Sequence, residues 1–162
     1  MSVTRPMRSS RRAFSLIEAV VVVVVLSISV PTTLVFTDAA VSRRADSVTA
    51  IRATAYATAV MESVMADSSS RAAGRGFEAF ANTASYLEGP QGLFERLAGV
   101  TAGYRAQGMS CAVGIGPKVD ATGEETGVAE LDLFRKVDVK VTFPLADGGA
   151  SELVISGMVT QW

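Results

Sequence analysis

Glu18 is the residue best placed to act chemically, because of where it stands. It is the one charged side chain in Phe14–Phe36 (FSLIEAVVVVVVLSISVPTTLVF), a run of 23 residues. A carboxylate within a lipid-spanning helix costs about 2.5–3.5 kcal/mol on insertion scales, so an unpaired one has no evident use in a simple anchor. Other candidates are few. The chain has no histidine, which excludes His-based metal sites and Ser-His-Asp or Cys-His catalysis. A single cysteine, Cys111, excludes an intrachain disulfide and a cysteine-cluster metal site. It alternates with apolar neighbours and reads as a small buried hydrophobe. Gly114-Ile115-Gly116 is followed by Pro117-Lys118, not by the third glycine and helix of a dinucleotide site, so it reads as a turn. Asp120, Glu124, Glu125, Glu130 and Asp132 cluster around glycines and offer oxygens to a calcium ion, but without coordination spacing they read rather as a solvated acidic loop. The expectation is no catalytic residue, no metal site and no cofactor.

The elements that position Glu18 follow from how the apolar residues are distributed. The 162-residue chain has the length of one domain, and its formal charge of −1 gives no reason to expect nucleic-acid binding. Its apolar fraction is 49% against 19% charged, and the excess lies at one end. Residues 1–13 hold Arg5, Arg8, Arg11 and Arg12 and no acid. The run that follows, with an unbroken string of valines from Val20 to Val25, would be roughly 34 Å long as a helix. That is enough to cross a hydrocarbon core of about 30 Å. In lipid the backbone must satisfy its own hydrogen bonds, so helix prevails over the weak β preference of valine. The positive-inside rule places residues 1–13 in the cytoplasm and the remainder across the membrane.

Such a terminus fits three descriptions. A cleavable secretory signal has the same basic and apolar order, but usually a shorter apolar region and a better exit than Thr37-Asp38-Ala39-Ala40. Ser10-Arg11-Arg12-Ala13-Phe14 matches the opening of a twin-arginine signal, which normally carries a less apolar core. The third is carried by Arg11-Arg12-Ala13-Phe14-Ser15-Leu16-Ile17-Glu18 and the valines after it. This segment resembles the amino-terminal motif of type IV prepilins and pseudopilins. There a basic leader ends in a small residue, usually Gly, and Phe-Thr-Leu-Ile-Glu opens an apolar helix. Ala13 stands for that Gly, and Ser15 for the Thr. The resemblance implies cleavage between Ala13 and Phe14 by the prepilin peptidase, with methylation of the new Phe14 amine. It also implies that Glu18 pairs with the Phe14 amine of an adjoining subunit, an interaction strengthened by low dielectric that admits few axial offsets. Loss of four arginines from a chain of charge −1 leaves a mature charge of −5.

Pro31 lies within the span, where Ser27, Ser29, Thr32 and Thr33 can re-satisfy freed backbone groups. From Asp38 to Asp67 there is no Gly or Pro, and Val41, Ala45, Val48, Ile51, Ala55 and Ala59 form a narrow stripe. It broadens at Val60, Met61, Val64 and Met65, as suits a stem packing first on neighbours and then on its own domain. Asp67-Ser68-Ser69-Ser70, Gly74 and Gly76 end the helix. Short helices are expected over 77–103, with Phe77, Phe80 and Leu87 on one face, Leu93, Phe94 and Leu97 on another, and a turn at Gly89-Pro90. The period then becomes two at Met109, Cys111, Val113 and Ile115, and again at Val137, Val139, Val141 and Phe143. Val128–Phe134 begins the long strand or forms a separate one. Glu152–Thr160 is a further strand, with a bulge at Gly157 and a hairpin at Asp147-Gly148-Gly149.

The expected fold is therefore α+β and pilin-like: a long N-terminal helix on a C-terminal antiparallel sheet of three or four strands. Its expected divisions are the leader 1–13, the transmembrane helix 14–36, the stem 37–67 and the globular head 68–162. The resemblance implies a non-enzymatic structural subunit of a type II secretion pseudopilus or type IV pilus. With one cysteine the C-terminal disulfide loop of many major pilins is absent, which points to a minor pilin or pseudopilin. Implied partners are the prepilin peptidase, other pilins, an inner-membrane assembly platform and membrane lipid, with no nucleic acid. The implied location is the bacterial inner membrane, as a single-pass protein with a periplasmic head. The competing expectation is an exported binding module or enzyme released from a twin-arginine or secretory signal.

Overall fold

The computed structural model describes residues 15–160. Its first element, α1, runs from Leu16 to Ser68, 53 residues with Pro31 inside. Contacts divide the chain at Val41/Ser42 into two units. In the first, the large apolar residues from Leu16 to Phe36 are all exposed, from 43% at Val22 to 84% at Leu16. Hydroxyls within it bond back to carbonyls four residues earlier: Ser27 to Val23, Ser29 to Val25, Thr32 to Ile28 and Thr33 to Ser29. The carbonyl that Pro31 deprives of its amide donor is that of Ser27, and none of these hydroxyls reaches it. They satisfy their own protons instead of repairing the proline gap, as was expected of them.

The second unit holds the fold proper. After α1 come a 3₁₀ turn at Phe77–Ala81 and three short helices, α2 (Thr83–Glu88), α3 (Leu93–Arg96) and α4 (Ala98–Arg105). Three strands follow, β1 (Ser110–Val119), β2 (Phe134–Pro144) and β3 (Ala150–Thr160), in a simple antiparallel meander of order β1-β2-β3. This is the α+β arrangement expected of a pilin-like chain, with three strands. The α1 residues Ala53, Tyr56, Ala57, Val60, Met61 and Val64 are buried in one cluster with Val113, Val137, Val139, Val141, Phe143 and Val159 from one face of the sheet. Tyr56 also stacks on Tyr104, ring centroids 4.6 Å apart and nearly parallel. Two contacts set the direction of α1 over the sheet. The Ala146 amide donates to Asp46 Oδ1 at 2.7 Å, and Met61 and Met65 lie over Gly157. From Asp46 to Met65, α1 therefore runs in the same direction as β3.

Several expectations are corrected. The stripe through Val41, Val48 and Ile51 does not lead into the core. Val48 and Ile51 are 43% and 66% exposed, and the buried face is offset around the helix to Ala53-Tyr56-Val60-Val64. Gly157 makes no bulge, since pairing of β2 with β3 is unbroken from Phe134↔Thr160 to Pro144↔Ala150. A Cβ there would stand 3.2 Å from Met65 Cε, so glycine makes room for the helix. The irregularity lies in β1 instead, where Gly116 and Pro117 stand opposite the single residue Lys136. The segment expected to be a turn is thus a bulged strand, which suits Pro117 because proline brings no ladder donor. Residues 128–133 are loop, and β2 begins at Phe134. Leu145–Gly149 forms the expected hairpin, with the Leu145 amide donating to the Gly149 carbonyl at 2.9 Å.

Two glycines should respond oppositely to alanine. A Cβ on Gly92 would stand 2.7 Å from the Leu87 and Gly89 carbonyl oxygens, whereas on Gly99, within α4, it meets nothing within 4 Å. Gly92→Ala is expected to lower thermal stability clearly, while Gly99→Ala raises it by about 0.5–1 kcal/mol. Thermal denaturation of the full chain in detergent reads both.

Candidate functional site

Glu18 lies in the first turn of α1, where the positive end of the helix dipole favours a carboxylate. Its amide and that of Ala19 donate to the Ser15 carbonyl at 3.0 and 3.1 Å. Among the described residues its carboxylate has no ion-pair partner, and around it Leu16, Ile17 and Val21 are exposed. An 18-residue window of this helix has a mean hydropathy of 2.5 with none of it buried. Length and composition suffice to span a bilayer. The remaining residues singled out for this site, Arg11, Arg12, Ala13 and Phe14, lie outside the described residues. What the structure presents is thus a bare apolar cylinder bearing one carboxylate near its tip. Such a surface is poorly matched to water and suited to lipid or to other helices.

Elsewhere several polar groups bond within the fold. In the acidic loop, Asp120 Oδ1 accepts from the Thr122 amide and hydroxyl and from the Glu124 amide, at 2.8, 2.7 and 3.0 Å. Asp132 accepts from the Thr126 amide and hydroxyl and from the Gly127 amide, at 3.1, 2.8 and 2.9 Å. The Thr122 hydroxyl, with the Glu124 amide, holds the Asp120 carboxyl below the usual range. Burial pushes Asp132 upward, but its donors from Thr126 and Gly127 outweigh that and leave it lowered too. A lowered carboxyl contributes stability that is present above the unfolded value of about 4 and lost as pH falls through the folded one. Amide protection at Thr126 and Gly127 should therefore fall in acid below about pH 4, while that of Val139 in β2 persists, as hydrogen exchange would read. Among the described residues no group of three or more His, Cys, Asp or Glu side chains is placed to hold a metal.

Cys111 is half-buried, and burial pushes its thiol up to about 11, so it is a poor nucleophile at neutral pH. The outer face of the sheet is neutralised by its own pairs, Lys136 with Asp138 at 3.6 Å and Lys140 with Glu152 at 3.5 Å. The feature that sequence reasoning missed is Asp67, assigned there only to the helix end. It is 6% exposed and accepts from the Tyr86 hydroxyl at 2.8 Å and from the Arg96 guanidinium, with Arg75 Nε 3.8 Å away. One signal was available: an acid in the last turn opposes the helix dipole and needs local cations.

Comparison with curated proteins and with solved structures finds no match. Residues 8–30 match the family model described as the prokaryotic N-terminal methylation motif. The matched stretch joins the basic leader to the exposed apolar helix and has Glu18 inside it. The chain thus carries the prepilin-type motif of type IV pilin-like proteins.

Proposed function

We propose that this protein is a non-catalytic filament subunit, a minor pseudopilin or minor pilin of a type II secretion pseudopilus or type IV pilus. The prepilin peptidase would cut between Ala13 and Phe14 and methylate Phe14. The subunit would wait in the inner membrane with its head in the periplasm until an assembly platform draws it out. The observation that carries this reading is Glu18, a carboxylate without an ion-pair partner among the described residues, in the first turn of α1 where the large apolar residues from Leu16 to Phe36 are all exposed. Removal of the four leader arginines frees the helix to leave the bilayer, because those charges otherwise anchor it on the cytoplasmic side. Neighbouring helices then replace lipid around Leu16–Phe36, and the Phe14 amine of one subunit neutralises Glu18 of the next.

Cross-linking through the span tests self-assembly. A Val22→Cys chain, with Cys111→Ser to remove the native thiol, should give oxidised multimers when expressed in bacterial membranes with the prepilin peptidase and a pilus assembly system. Monomers only, from a processed and inserted chain, would count against assembly.

A further inference from the structure

In the second unit, one face of α1 is left exposed and apolar. Val48 and Ile51 are exposed there, with Ala55, and Arg44 and Arg52 lie on the same face. Core residues Ala53, Tyr56 and Val60 occupy the opposite side, so nothing in the second unit covers this patch. At the other end of the sheet, the β1–β2 loop presents Val128, Leu131 and Leu133, 43%, 56% and 53% exposed, among Glu124, Glu125 and Glu130. Residues 119–133 hold five acids and no base. The two surfaces are thus alike in exposed aliphatics and opposite in charge. Among the described residues Arg43, Arg44, Glu124, Glu125 and Glu130 have no ion-pair partner, and Arg52 is bonded to the neutral Gln107.

They cannot meet within one molecule. The α1 patch lies at the hairpin end of the sheet, tied there by Asp46 to Ala146 and by Arg52 to Gln107. The acidic loop leaves and re-enters at Val119 and Phe134, which pair at the far end. The 11 residues of β2 separate those ends by about 35 Å. Between copies of like orientation, the α1 patch of one reaches the loop of another only by displacement along the strand direction of the sheet. Such a contact is heterologous and open, the kind that repeats along a line.

We propose that the acidic β1–β2 loop of one copy docks on the Arg44–Val48–Ile51–Arg52 face of a second copy displaced along the strand direction, so that charge selects the neighbour and aliphatic burial holds it. The proposal rests on the filament reading above. It concerns head-to-stem contact, not the Glu18 pair.

The test uses the full chain, Cys111→Ser, expressed with the peptidase and assembly system, carrying Val48→Cys and Leu131→Cys and treated with a short bis-maleimide. A ladder requiring both cysteines is expected. Arg44→Glu with Arg52→Glu should reduce it by at least about tenfold, because like charges then face each other across the contact. Adding Glu124→Arg and Glu125→Arg to that chain should restore it, which a merely misfolded variant would not show. The Val22→Cys cross-link is read in parallel. Span cross-links with no Val48–Leu131 ladder, or a ladder indifferent to charge reversal, would overturn the docking and leave the filament reading intact. Loss of both cross-links from a correctly inserted chain would overturn the filament reading and the docking together.

Discussion

Replacing Glu18 by alanine is expected to abolish incorporation into filaments while leaving membrane insertion untouched. The two halves have separate physical causes. Insertion is helped by the change, because an ionised group near the hydrocarbon costs about 2.5–3.5 kcal/mol on insertion scales and alanine costs almost nothing. Assembly is harmed, because the amine of the adjoining Phe14 would be left in a low-dielectric bundle with no counter-charge. Truncating one partner of a desolvated charge pair costs about 2–5 kcal/mol. Even about 3 kcal/mol exceeds a hundredfold at each subunit addition. Glu18→Gln should fail nearly as badly, since it keeps the size but not the charge. Membrane fractionation and recovery of sheared filaments read the two effects separately. Normal recovery of Glu18→Ala filaments would refute the pairing.

The second large effect is expected at Asp67→Ala. This carboxylate closes the last turn of α1 and receives the Tyr86 hydroxyl and the Arg96 guanidinium, with Arg75 beside it. It thereby ties the end of the long helix to α2 and α3, whose own short lengths give them little independent stability. The Arg96 side chain is only 20% exposed, so removal of Asp67 leaves a largely buried cation and a buried hydroxyl unmatched. Breaking a buried pair in this way costs about 3–5 kcal/mol. For a unit of this size that corresponds to a fall in melting temperature on the order of 10 °C or more. Asp67→Asn should lose less, because the amide oxygen can still accept from Tyr86. Thermal denaturation monitored by circular dichroism would show both, and a melting temperature unchanged in Asp67→Ala would contradict the role assigned to the network.

The elements legible in the sequence were those with a strong period or an extreme composition. The valine run, the alternation at Val137–Phe143 and the glycine-rich hairpin before β3 each state a single physical demand, and the structure meets them. Contacts set by distant partners were not legible. Gly157 reads locally as a strand defect, yet its reason is Met61 and Met65 on α1, nearly a hundred residues earlier. Gly116-Pro117 reads locally as a turn, and only pairing with β2 turns it into a bulge. The early stem stripe, expected to meet neighbours first, keeps Val48 and Ile51 exposed, but it does not continue into the buried face. The core instead chose Ala53 and Ala57, whose small side chains let α1 approach the sheet closely. Of the processing and assembly residues, Glu18 could be located in the structure, and its solitude there is what gives the carboxylate its interest. Asp67 was hidden because its partners lie 19 and 29 residues onward.

Intact-mass and N-terminal peptide analysis of the mature protein, isolated from membranes with an active prepilin peptidase, tests the central claim most directly. The expected mature chain begins at Phe14, carries one methyl group on its amine and lacks all four leader arginines. A chain beginning near Ala40 or Val41 would instead mark an exported protein released from its signal, and would contradict the filament role.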